Sequence, residues 1–224
     1  MKRNVKVLVL AVTAVLAMSS ISAVADSQAA APELHVTNIG GGTIKGTSNN
    51  LVLTVQGGNV KCVENGGVPG ARFESTVPDT GTSATVSAAY GNAGKGCTAF
   101  GVAAAVNMKS CDYVVRMFTG TNPPVGLVDV KCSTVGDAIT VTASSLPCTL
   151  TIGPTVGIGF INWGNVGGAE PTYANADFAL ENIPYTATGV GCPKAGSFLD
   201  GRYYGRVPLR AFNGSGTMVG FHVF

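Results

Sequence analysis

Apolar and polar positions alternate along most of this chain in short runs. Leu51, Leu53 and Val55 interleave with Val52, Thr54 and Gln56, which is the two-residue period of a half-buried strand. The same pattern predicts strands over 34–38, 60–63, 71–77, 84–90, 113–119, 127–132 and 138–144. The β-branched trio Thr140, Val141 and Thr142 suits a pleated surface and disfavours a helix. Residues 102–108 (VAAAVNM) have the composition of either element; with strands on both sides they read as a strand. Gly40-Gly41-Gly42, Ser48-Asn49-Asn50, Gly57-Gly58-Asn59 and Asn65-Gly66-Gly67 punctuate the runs, as hairpin turns with φ > 0 require. No segment sustains a 3.6-residue apolar period. The best helical candidate, 173–181, is broken by Asn175 and reads equally well as an edge strand.

The last third carries the densest pattern: CTLTIG, VGIGFINWG, TYANADFALENIPYTATGVGC, GRYYGRVPLRAF and TMVGFHVF. Many short strands spaced by turn signals predict an all-β fold, an antiparallel β-sandwich or a barrel-like closure. Strands without intervening helices do not readily form a parallel sheet, and a β-helix would show a repeat period that is not there. Composition shifts near Pro147, after which 11 of the 16 aromatic residues fall. The expected organisation is one body over 26–224, with 33–146 and 147–224 as possible lobes.

Residues 1–25 read as a cleaved signal peptide. Lys2, Arg3 and Lys6 form a basic head, 7–18 an apolar run, and Ala23-Val24-Ala25 a small-x-small cleavage site. The apolar run is too short to span a bilayer, and no cysteine marks a lipid anchor, so a secreted protein with no stable membrane anchor is expected. Of 14 basic residues three leave with this leader, so 11 remain against 12 acidic ones, a net charge of −1. A scattered, nearly neutral set of charges does not favour nucleic acid or an anionic membrane. A terminal Phe224 is a feature of outer-membrane barrels, but Gly220 and His222 occupy the alternate positions that such a strand would make apolar.

Six cysteines, Cys62, Cys97, Cys111, Cys132, Cys148 and Cys192, all lie beyond the leader. An even count in an exported chain reads as three disulfides. No close Cys-x-x-Cys or Cys/His pair suggests a metal site. Many connectivities are open to six cysteines. Pairing of neighbours (62–97, 111–132, 148–192) has a physical argument in its favour: Cys111 opens the run CDYVVRMF, Cys132 closes LVDVKC, and a hairpin turning at Asn122-Pro123-Pro124 brings those ends together.

The C-terminal motifs, Cys148-Thr-Leu-Thr-Ile, Phe160-Ile-Asn-Trp, Ile183-Pro-Tyr-Thr-Ala-Thr-Gly189, Cys192 and Gly201-Arg-Tyr-Tyr-Gly205, resemble a pattern in uncharacterised secreted proteins of actinobacteria. The resemblance covers mainly 148–224. Many such chains have proline and glutamine after the isoleucine of the first motif, where this one has Gly153-Pro154-Thr155. It implies an exported β-rich protein with paired cysteines and no particular activity.

Candidate chemistry is sparse. The two histidines, His35 and His222, fall in strand patterns, and Gly-x-Ser-x-Gly is absent; Asn213-Gly214-Ser215-Gly216 reads as a hairpin turn and is formally a glycosylation sequon. Calcium loops and phosphate-binding glycine loops are also absent, so no cofactor is implied. A glycosidase would need two acids about 5–10 Å apart, and Glu170, Asp177, Glu181 and Asp200 share the aromatic-rich third with one another. The favoured expectation is a non-enzymatic structural or binding protein whose ligand the sequence does not name, with a carbohydrate-active enzyme or glycan-binding module as the alternative. Trp163, Tyr173, Tyr185, Tyr203 and Tyr204 are the candidate platforms for a cell-wall or extracellular glycan. Tyr203 and Tyr204 are adjacent, so in a strand one faces in and the other out. Trp163, between Asn162 and Gly164-Asn165, is expected at a strand end where a loop begins.

Overall fold

A computed structural model describes residues 34–36, 42–76, 80–91, 96–117, 124–166 and 173–223. The leader at 1–25, most of the turn at 122–124, Glu170 and Phe224 lie outside them. Among the described residues there is no helix, and no helix long and apolar enough to cross a membrane. All strand pairings are antiparallel, and they join into one sheet of fifteen strands with a separate three-stranded sheet beside it. The all-β antiparallel expectation holds.

Numbered in chain order, the two longest strands are β15 (Tyr173–Thr188) and β16 (Gly196–Phe212). They pair along most of their length, and each changes its other partner halfway. A first circuit runs from β16 through β2 (Thr43–Ser48), β5 (Ala71–Ser75), β7 (Ser83–Tyr90), β10 (Cys111–Met117), β11 (Val125–Cys132) and β14 (Gly159–Val166) back to β15. A second runs from β15 through β13 (Thr149–Ile152), β12 (Ile139–Ala143), β9 (Val102–Asn107), β8 (Cys97–Ala99), β4 (Gly58–Cys62) and β3 (Val52–Val55) back to β16. Both circuits therefore close on the β15–β16 ribbon, which removes the exposed edges that an open sheet would leave to aggregate. Each draws strands from both sides of residue 147, so the change of composition there is not a break in hydrogen bonding. Short β17 (Met218–Val219) continues from β16 after a tight turn in which Asn213 N–H donates to the Thr217 carbonyl at 2.9 Å. That is the hairpin expected of Asn213-Gly214-Ser215-Gly216. The three-stranded sheet is β18 (Phe221–Val223), β1 (Leu34–Val36) and β6 (Thr80–Gly81), with His35 opposite His222 in register.

The core follows the alternation. Ile161, Leu150, Leu180, Val128, Val130, Val207 and Phe221 are fully enclosed. Two small interior cavities remain, of ≈ 50 and ≈ 40 Å³, and Tyr113 lines both. Tyr90 hydrogen-bonds Tyr113 and Tyr203 through the hydroxyls, each at 2.9 Å; burial raises all three phenols well above their ordinary value. The disulfides are Cys62–Cys97, Cys111–Cys132 and Cys148–Cys192, with no free thiol. Cys111 stands directly opposite Cys132 across the β10–β11 ladder, as the hairpin argument requires.

Two expectations are corrected. The stretch 173–181 is neither helix nor edge: it belongs to β15, paired on both sides with β14 and β16. Its polar Asn175 and Asp177 lie on the outward face, which hid a central strand behind a broken apolar pattern. Trp163 lies within β14, not at its end.

Candidate functional site: the seam groove

Where β15 passes from one circuit to the other, its neighbours do not meet. Register with β14 ends at Gly159 opposite Leu180, and register with β13 begins at Thr151 opposite Thr186. Leu180 to Ile183 and Ile183 to Tyr185 also slip against β16, and Asn182 adopts φ 56°, a strained left-handed conformation for a residue with a Cβ. Gly159 allows the close approach at the top of this gap. Its φ is +142°, and a Cβ there would sit 2.6 Å from the Leu180 Cα, a contact no side chain tolerates.

The segment joining β13 to β14 crosses the gap and forms one wall. Thr155 exchanges two backbone hydrogen bonds with Val130, and Ile158 N–H donates to the Val128 carbonyl at 2.9 Å. Between them Gly157 N–H donates to Asp129 Oδ1 at 2.7 Å. Asp129 is 2% exposed and also accepts two bonds from the Arg116 guanidinium at 2.9 Å. The result is a surface groove of ≈ 400 Å³, within the range of small-ligand sites. Its lining includes Val156, Gly157, Phe160, Glu181, Asn182 and Pro184. Phe160 is 49% and Val156 72% exposed. Across Ala179 from Phe160, the Tyr204 hydroxyl donates a short hydrogen bond to Glu181, which lines the groove. That bond raises the Tyr204 phenol above its ordinary value, and the Arg202 guanidinium nearby opposes the rise.

The mirror position on β16 is closed. There β3 ends opposite Tyr204 and β2 begins opposite Leu209, but Ser48 Oγ donates to the Arg206 carbonyl at 2.7 Å and Asn50 Oδ1 accepts from Arg206 N–H at 3.4 Å. One seam is plugged by side chains and the other is left as a groove.

Asp129 fixes that groove's wall. Burial pushes its carboxyl up, but the bonds from Arg116 and Gly157 N–H, with the charges of Arg116 and Lys131, outweigh burial and hold it below the ordinary carboxylate range. A depressed carboxyl stabilises the fold above the unfolded value of about 4, and that contribution is lost as pH falls through the folded value. Asp129→Asn is expected to cost about 1.5–3 kcal/mol in urea unfolding at pH 7. The deficit should narrow below about pH 4, with faster amide exchange at Gly157. An equal deficit at all pH values would show that the charge contributes nothing.

The sequence-selected residues divide sharply. Trp163, Tyr185 and Tyr203 are 5%, 4% and 8% exposed, so their rings fill the interior and are not offered to solvent. The Trp163 indole faces Gly126, where a Cβ would lie 3.1 Å from its Nε1. The Tyr185 hydroxyl accepts from Gln56 N–H at 2.7 Å and lies 3.3 Å from Asp200, whose other oxygen accepts from the Gln56 amide at 2.8 Å. Tyr204 points outward, bonded to the groove's Glu181, and opposite in sense to Tyr203 as the strand period demanded. Tyr173 is half-buried with Arg210 5.6 Å over its ring. Asp177 takes Arg206, with Arg206 Nη2 donating at 2.9 Å. Asp177 and Glu181 lie four residues apart on β15, about 13 Å by strand rise, which is wider than a glycosidase pair. No cluster of three or more potential metal ligands occurs among the described residues. Phe160, Val156, Asn182 and Pro184 were not singled out as site residues from the sequence.

The fold and groove define a class: a disulfide-stapled antiparallel β protein with a mixed apolar and polar surface groove at a break in its sheet. Comparison with family models, with curated proteins and with solved structures gives no match, so the groove is interpreted from its geometry.

Proposed function

We propose that this is an exported binding protein without catalytic activity of its own, and that the seam groove takes a saccharide of the cell wall or extracellular surroundings. The observation that carries the reading is the half-exposed Phe160 ring sharing one groove with Glu181, which Tyr204 holds by its hydroxyl. A sugar presents an apolar C–H face that suits the ring and hydroxyls that suit a carboxylate and the Asn182 amide. Export is supported by the leader pattern, by three disulfides, which belong to oxidising compartments, and by the resemblance to secreted actinobacterial proteins. The reading without catalysis is supported by Asp177, Glu181 and Asp200, which lie outward and engaged with Arg206, Tyr204 and Gln56.

Retention on insoluble cell-wall polysaccharide tests it. Phe160→Ala should lose retention by about tenfold or more in affinity, with its folded state checked by the urea unfolding midpoint. Unchanged retention would overturn the reading. Hydrolysis of a glycan panel that disappears in Glu181→Gln would replace it with the enzyme.

A further inference from the structure

We infer that the saccharide is a linear, uncharged polysaccharide segment lying across the outward face of β14, β15 and β16, with one end in the seam groove. This rests on the saccharide reading above and specifies its ligand.

The face is continuous with the groove. Ala179 pairs with Phe160 on one side and Tyr204 on the other, so a small side chain lies between two exposed rings and the row forms a trough. The next outward row sets Asp177 between Asn162 and Arg206, and the one after sets Asn175 between Gly164 and Pro208. The series ends at Tyr173, capped by Arg210. From Glu181 to Tyr173 is eight residues, about 26 Å of strand, room for several sugar rings in file. Planar groups stand at both ends, with hydrogen-bonding groups between them.

Charge selects a neutral ligand. Asp177 is neutralised by Arg206, Glu181 engages Tyr204 beside Arg202, and Arg210 lies on the Tyr173 ring. Arg202, Arg206 and Arg210 stand on this face against the carboxylates of Asp177 and Glu181, so its charges nearly balance and give a polyanion little net attraction. Backbone pairing leaves an added peptide strand no long free edge: β14 is bonded to β11 over Phe160–Asn162 and to β15, β15 to β14 and β16, and the outer side of β16 is covered by β2, Ser48 and Asn50. A ligand meets side chains only, which suits a chain rich in hydroxyls.

Calorimetric titration with chito- and cello-oligosaccharides from disaccharide to octasaccharide tests the inference. Affinity should rise about tenfold or more along the series. Tyr173→Ala should abolish the rise and leave the disaccharide's affinity unchanged, with its thermal midpoint checked and Tyr173→Phe restoring the gain. Phe160→Ala should weaken every length. A disaccharide that binds with no gain on lengthening, or a gain indifferent to Tyr173→Ala, overturns this inference and leaves the groove reading standing. Preference for anionic polygalacturonate overturns the neutral ligand. No binding at any length overturns both readings.

Discussion

Replacing Trp163 with alanine should unfold the protein about 3–5 kcal/mol more easily, the cost of removing a buried aromatic side chain from a packed core. The indole lies in the interior of the first circuit, 5% exposed, lining a cavity with Val115, Ile161 and Phe178. At about 2–4 °C per kcal/mol for a chain of this size, the melting temperature should fall by roughly 10 °C. Trp163 is the chain's one tryptophan, so the unfolding must be followed by far-ultraviolet circular dichroism. Trp163→Phe should cost less, because Nε1 has no hydrogen-bond partner to lose. A loss below about 1 kcal/mol for the alanine variant would contradict core packing. Because the ring is not offered to solvent, any loss of polysaccharide retention should track the loss of folded protein.

The Cys148→Ser/Cys192→Ser double variant should lose about 4 kcal/mol. On the chain-entropy model a cross-link constrains the unfolded chain more as its loop lengthens, and this bridge spans 44 residues against 35 for Cys62–Cys97 and 21 for Cys111–Cys132. Its position adds to the effect. The β13–β15 ladder that closes the second circuit has only three register pairs, whereas seven pairs already hold Cys111 and Cys132 together. Amides of β13 and the end of β15 should exchange faster in the variant, with β10 and β11 protected. A loss below about 1 kcal/mol would show that the native ladder closes unaided. Peptide mapping without reduction should return the three neighbour pairs.

Much of the architecture was legible in local pattern. The alternation of Leu51, Leu53 and Val55 marked β3, the β-branched run at 140–142 marked β12, and Asn213-Gly214 marked the last turn. A single hairpin argued for Cys111–Cys132, and the other two bridges were favoured only as pairs of neighbours. The β2 strand was missed because TIKGTS is polar and holds Gly46; a Cβ there would lie 2.5 Å from the Leu209 side chain, so packing against β16 requires the glycine that weakens the signal. Trp163 was misplaced because Gly164 and Asn165 look like a loop, although both pair within the β14–β15 ladder.

The sequence by itself determined the class of element, the reason for pairing Cys111 with Cys132 and the two opposed faces of Tyr203 and Tyr204, because period, turn chemistry and hairpin closure are properties of neighbours along the chain. Tertiary structure alone decided the site. Phe160 and Ile161 are both apolar, so alternation could not say which of them faces water; that parity is set by Ile161 and Trp163 packing into the interior with Val115 and Val207. The groove exists because β15 changes partners between Leu180 and Thr186 and only one of the two seams is plugged, and partner exchange between strands distant in sequence leaves no local mark.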